Sequence, residues 1–123
     1  MKRFFKFSVV VFVSMMFMVM TVNFGQAAEK ALAAPSGSAG AAKNAEGISH
    51  YDQGHWGVAA KYFMEAVKAD PKMAEAHYNL ALSLHNQNNH GDATKHFGHA
   101  LKLAPNKPGI ANSGILKGHL KMK

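Results

Sequence analysis

The chain has 123 residues, with 14 basic and 7 acidic side chains, eight histidines and no cysteine. That length allows one small domain, and the missing cysteine excludes both structural disulfides and a lipid-modified cysteine anchor. Arg3 is the sole arginine, so the body of the chain lacks the planar, bidentate donor that phosphate and guanine recognition favours, which argues against nucleic acid as a partner.

Lys2, Arg3 and Lys6 precede an almost wholly apolar run from Phe7 to Val22, and Gly25-Gln26-Ala27-Ala28 supplies the small residues that a signal peptidase accepts. This order predicts a signal peptide over residues 1–27, cut after Ala27 or one residue later, and a periplasmic or secreted product. The alternative is an uncleaved anchor in the inner membrane facing the periplasm, since a spanning helix needs about 17 to 25 apolar residues. Removal of Lys2, Arg3 and Lys6 lowers the formal charge from +7 to +4. Residues 28–41 are mostly Ala, Gly, Ser and Pro, a composition too poor in large apolar side chains to bury a core, and are expected to form a flexible linker.

From about residue 40 to 107 the chain repeats at an offset of 34 residues without a gap. Gln53 falls on Gln87, Ala59 on Ala93, Lys61 on Lys95, Phe63 on Phe97, Ala66 on Ala100, Lys68 on Lys102 and Pro71 on Pro105. A fixed offset of this size marks a stack of supersecondary units. Each unit has a breaker, Gly54 or Asn88, then a second segment whose apolar residues recur at i, i+4, i+7 and i+8, and finally a proline that ends it. Those stripes are Ala59, Phe63, Ala66 and Val67, and Ala93, Phe97, Ala100 and Leu101. The pattern predicts helices at about 42–53, 57–70, 74–87 and 91–104, with the small residues allowing close approach and the phenylalanines filling the space beside them. Gly47, Leu80 and Ala81 answer from the first helices. Residues 108–123 are expected to hold a capping helix, at about 108–121, with Pro108 in its first turn and Gly109, Gly114 and Gly118 weakening it. Trp56, in the turn between the first two helices, is read as structural.

The second unit resembles the tetratricopeptide repeat family. Its signature W-x2-L-G-x2-Y, then A-x3-F and a late proline, stands here as His77-x2-Leu80-Ala81-x2-Leu84, Ala93-x3-Phe97 and Pro105. The first unit departs further, with Lys43, Glu46 and His50 at the large apolar positions and Gly47 retained. The resemblance implies an all-α helix-hairpin solenoid of two units, about 40–73 and 74–107, within 42–107, plus the short C-terminal cap. It also implies a concave groove lined by Asn44, Ile48 and Tyr51 from the first unit and Tyr78, Leu82 and His85 from the second. Asn79 stands at a position that in many relatives hydrogen-bonds the backbone of a bound peptide. The lysine and arginine clamp that some relatives use for a C-terminal carboxylate is missing, because Asn44, Ile48, Asn112 and Leu116 occupy those positions.

The expected activity is therefore non-enzymatic: an exported adaptor that binds a protein or peptide, without a cofactor. No nucleophile elbow, phosphate loop or haem-attachment motif is present. The histidines offer a second reading, a histidine-rich metal-binding protein, but only His96 and His99 face each other on one predicted helix, and two ligands do not close a metal site. Self-assembly of the repeats into a scaffold is the third.

Overall fold

The computed structural model describes residues 28–123, so the expected signal peptide lies outside the described residues. Among the described residues six helices follow in order: α1 Ala41–Asp52, α2 Trp56–Ala69, α3 Ala74–Asn86, α4 His90–Leu103, α5 Pro108–Ala111 and α6 Gly114–His119. There is no strand among the described residues, and none of their helices is long and apolar enough to cross a membrane. Helices α1 and α2 form one antiparallel hairpin, α3 and α4 a second, α2 packs on α3, and α6 closes over α4.

Each hairpin turns in the same way because the sequence repeats. Gly54 has φ 77° and Asn88 has φ 63°, the left-handed backbone that glycine and asparagine tolerate best. After α1 the Gly54 N–H donates to the Tyr51 carbonyl and the His55 N–H to the His50 carbonyl, each at 2.9 Å. Thirty-four residues on, Asn88 donates to His85 and Asn89 to Leu84, again at 2.9 Å. These bonds satisfy carbonyls that a helix end would otherwise leave unpaired. The second helices stop for a different reason. Asp70 and Ala104 precede Pro71 and Pro105, and a residue before proline is driven out of the helical region; their φ values are −141° and −140°.

The core runs along the seam between hairpins. Ala59, Phe63, Ala66, Ala93, Phe97 and Ala100 are all fully buried. Gly47 permits a close approach of α1 to α2: a Cβ built there would sit 2.5 Å from the Phe63 ring. Trp56 is the first residue of α2, edge-on to Tyr51 with ring centroids 4.9 Å apart.

Two expectations need correction. The single capping helix is two short ones, broken at Asn112 and Ser113, where the Ser113 hydroxyl accepts the Leu116 N–H at 3.0 Å and starts α6 afresh. Ile110 and Leu116 are nonetheless fully buried, and Lys107 pairs with the buried Glu75 at the start of α3. The larger correction concerns the segment from Ala28 to Gly40, which is not a free linker. Ala31 is 4% exposed and belongs to the main core cluster, with Leu32 packed against it. Composition undercounts such a segment because the groups that hold it are polar side chains on distant helices.

Candidate functional site

Helices α1 and α3 carry two asparagines 35 positions apart in the chain. Asn44 and Asn79 are both fully buried, and a buried amide must find partners for its donors and acceptor. Asn79 Nδ2 donates to Asn44 Oδ1 at 2.9 Å and to the Leu32 carbonyl at 2.8 Å, while its Oδ1 accepts the Leu32 N–H at 2.7 Å. Asn44 Nδ2 donates to the same carbonyl at 3.0 Å. Asn79 thus holds both backbone groups of one residue and Asn44, from the other repeat, shares its carbonyl; none of the three bonds reads the leucine side chain.

Three residues upstream, Glu29 fills the other end of the groove. The Tyr51 hydroxyl donates to the Glu29 backbone carbonyl at 2.6 Å, and the Tyr78 hydroxyl donates to its carboxylate, also at 2.6 Å. Ser113 Oγ donates to the same carboxylate oxygen, and the Ile115 N–H reaches the second oxygen at 3.0 Å. Burial opposes ionisation of this carboxylate, but the donors from Ser113, Tyr78, Ile115 and Gly114 outweigh it and hold its pKa below the ordinary glutamate value. Burial pushes the Tyr51 hydroxyl up to about 12 and raises that of Tyr78 further, where the hydrogen bond to Glu29 adds to it.

Of the groove residues expected from the sequence, the structure gathers Asn44, Tyr51, Tyr78 and Asn79 around residues 29–32. Leu82 is fully buried in the core, and Ile48 is partly buried against the same cluster. His85 stands further along, at the end of α3.

The tetratricopeptide repeat family model matches residues 44–108, more than half of the chain. The chain belongs to the tetratricopeptide repeat family. No curated protein matches it. Tetratricopeptide repeats are typically protein-interaction modules rather than enzymes, which agrees with a groove built of hydrogen-bonding amides and tyrosines. The occupant of this repeat groove is the chain's own segment, on the side where the family resemblance places a peptide.

The histidines fall into two groups that the one-dimensional pattern hides. His96 and His99 are not where ligand atoms converge. His77 Nε2 donates to the Pro71 carbonyl at 2.9 Å, which leaves its Nδ1 facing His96 Nδ1 at 3.2 Å, and His99 stays exposed. Burial lowers the pKa of His77 and His96, and the neighbouring histidines add to it. The second group comprises His85, His90 and His119, each able to offer one ring nitrogen within 4.8 Å of the other two. They come from α3, α4 and α6, and spacing along any single helix could not have revealed them.

Proposed function

We propose that this protein is an exported tetratricopeptide repeat adaptor whose groove takes a short peptide segment of a protein partner. The observation that carries the reading is the pair of amides, Asn44 and Asn79, closing on both backbone groups of Leu32. A grip on N–H and C=O is indifferent to the side chain between them, so it suits a peptide of another protein as well as residues 29–32. The Glu29 pocket supplies selectivity, since Tyr78, Ser113 and the Ile115 N–H are three donors that a carboxylate satisfies and an apolar side chain does not. The preferred client is therefore a segment with an acidic residue three positions before the clamped one.

Export rests on the basic head, apolar run and small residues of the first 27 positions. A cut at Ala27 or Ala28 would leave Glu29 as one of the first residues of the mature chain. In that state the docked segment is a terminal strap, and a partner gains the groove by displacing it.

The test is a labelled peptide of residues 28–36 added to the protein carrying Leu32→Pro. Proline removes the N–H that Asn79 accepts, so the chain's own segment leaves the groove without truncation. Binding should be tighter to Leu32→Pro than to the parent and should disappear when Asn79→Leu is added. A Leu32→Pro protein with parental helical circular dichroism that ignores the peptide at millimolar concentration rejects the groove as a peptide site.

A further inference from the structure

The ring centroids of His85, His90 and His119 form a nearly equilateral triangle with sides of 5.1, 5.1 and 5.4 Å. His85 Nδ1 and His119 Nε2 are 2.8 Å apart. We propose that these three side chains bind one divalent transition-metal ion of the zinc, nickel and copper class.

The hydrogen bonds around His119 prepare it for that role. The Thr94 hydroxyl has one proton, and it is given to the His90 carbonyl at 2.8 Å, because a carbonyl can only accept. The Thr94 oxygen, 2.8 Å from His119 Nδ1, must then accept from that nitrogen. The proton of neutral His119 therefore sits on Nδ1 and the lone pair on Nε2, aimed at His85. A ligating histidine usually has its other nitrogen fixed by such a partner, which sets ring orientation and tautomer. His85 Nδ1 donates into that lone pair while the site is metal-free. Moving the proton of His85 to its outer nitrogen turns both atoms into ligands without changing the charge.

The third ligand has freedom to close. His90 is exposed and begins α4, and among the described residues its ring has no hydrogen-bond partner. With metal–nitrogen bonds of about 2.0–2.1 Å, tetrahedral ligation needs nitrogens about 3.3 Å apart. The observed spread of up to 4.8 Å lies within a small rotation of an exposed imidazole. Three neutral nitrogens with no thiolate suit zinc, nickel or copper over calcium or magnesium, and leave at least one position for water or a partner's carboxylate. The His77 group is a poorer candidate, since both nitrogens of His77 are already committed. A metal at the second group would join the α3–α4 turn to the cap helix α6, and this holds whether or not the groove binds a peptide.

The untagged protein should be titrated calorimetrically with zinc chloride and, separately, with nickel chloride. One ion per chain and a rise in thermal midpoint on saturation are expected. His90→Ala should weaken binding at least tenfold. Thr94→Val keeps all three ligands and removes only the acceptor on His119, so as a positioning change it should weaken binding about tenfold. His99→Ala, outside the triangle, should bind as the parent does. Absence of saturable one-to-one binding, or equal affinities for His90→Ala and the parent, overturns the proposal. So does a loss in His99→Ala as large as that in His90→Ala. If His90→Ala loses its helical circular dichroism, Thr94→Val decides the question alone, and parental affinity in that variant overturns the site.

Discussion

Asn79 grips Leu32 by both of its backbone groups, accepting its N–H at 2.7 Å and donating to its carbonyl at 2.8 Å. A side-chain amide presents a donor and an acceptor side by side, the same pattern a neighbouring strand would show to one residue. Because Asn79 is fully buried, each of these bonds also relieves a desolvation cost that the amide would otherwise carry alone. Asn44 donates a second bond to the Leu32 carbonyl and accepts from Asn79. The strap, the first repeat and the second repeat are thereby one polar network inside an apolar seam.

Replacing Asn79 with leucine should therefore cost about 1–3 kcal/mol, because it removes two bonds to Leu32 and leaves Asn44 Oδ1 without its donor. Urea denaturation gives the stability. Amide hydrogen exchange gives the location, with the Leu32 N–H losing more protection than any amide of α2. Unchanged exchange at Leu32 would mean that the asparagine does not hold the strap.

Two glycines in similar helical settings should respond with opposite sign. A methyl group at Gly47 meets the Phe63 ring at 2.5 Å, and Phe63 is fully buried with nowhere to retreat. Gly47→Ala should destabilise by about 1–3 kcal/mol through overpacking. At Gly98, on α4, a Cβ meets nothing within 4 Å, so Gly98→Ala should stabilise by about 0.5–1 kcal/mol as the helix-propensity gain stands unopposed. Thermal melts of the two variants side by side check both signs.

The hairpins could be read from the chain because their causes are local. Pro71 and Pro105 end helices by acting on the residue just before them, and Gly54 and Asn88 turn the chain by their own backbone freedom. The phenylalanines and alanines at 63, 66, 97 and 100 repeat at a helical period that needs no tertiary knowledge. Asn79 was legible as a backbone-binding residue through the family resemblance, but its occupant was not. Residues 28–40 look like a linker because Ala31 and Leu32 bury little area, and what fixes them comes from Asn44, Tyr51, Tyr78, Asn79 and Ser113, as far as 84 positions away. The histidine triangle was hidden for the same reason: His85 and His90 flank a turn, and His119 reaches them only because the break at Ser113 redirects α6.

Glu29 offers a test of the acidic end of the strap. Its carboxylate accepts from Tyr78, Ser113 and Ile115. Glu29→Gln brings an amide with two protons of its own toward those donors, and should loosen the N-terminal segment and α6 together. Backbone chemical shifts of Ser113, Ile115 and Leu116 should move most, while those of α2 stay fixed. Shifts confined to the first few residues would show that the carboxylate does not hold α6.

Acidification should weaken the fold in two separate stages. His77, His85, His96 and His119 all have pKa values lowered from the ordinary histidine value of about 6.5, each chiefly by burial and then by a neighbouring histidine, with His77 also donating a hydrogen bond to the Pro71 carbonyl that works the other way. Between those lowered values and about 6.5 the unfolded chain binds more protons than the folded one, so stability falls as pH falls through this window. Glu29 is lowered too, by donors that outweigh its burial. Its contribution is present above the ordinary glutamate value of about 4.3 and is lost as pH drops through the folded value below it. The thermal midpoint should be level above pH 7.5, decline as pH falls below about 6.5 toward the lowered histidine values, and decline again as pH falls below the ordinary glutamate value of about 4.3. Melts across that range check the profile, and His77→Gln should flatten the first decline because its amide can still donate to Pro71 without taking up a proton. A midpoint that rises between pH 7.5 and 5.5 would mean that the histidine groups fold charged, and that their rings meet an acidic partner instead of one another.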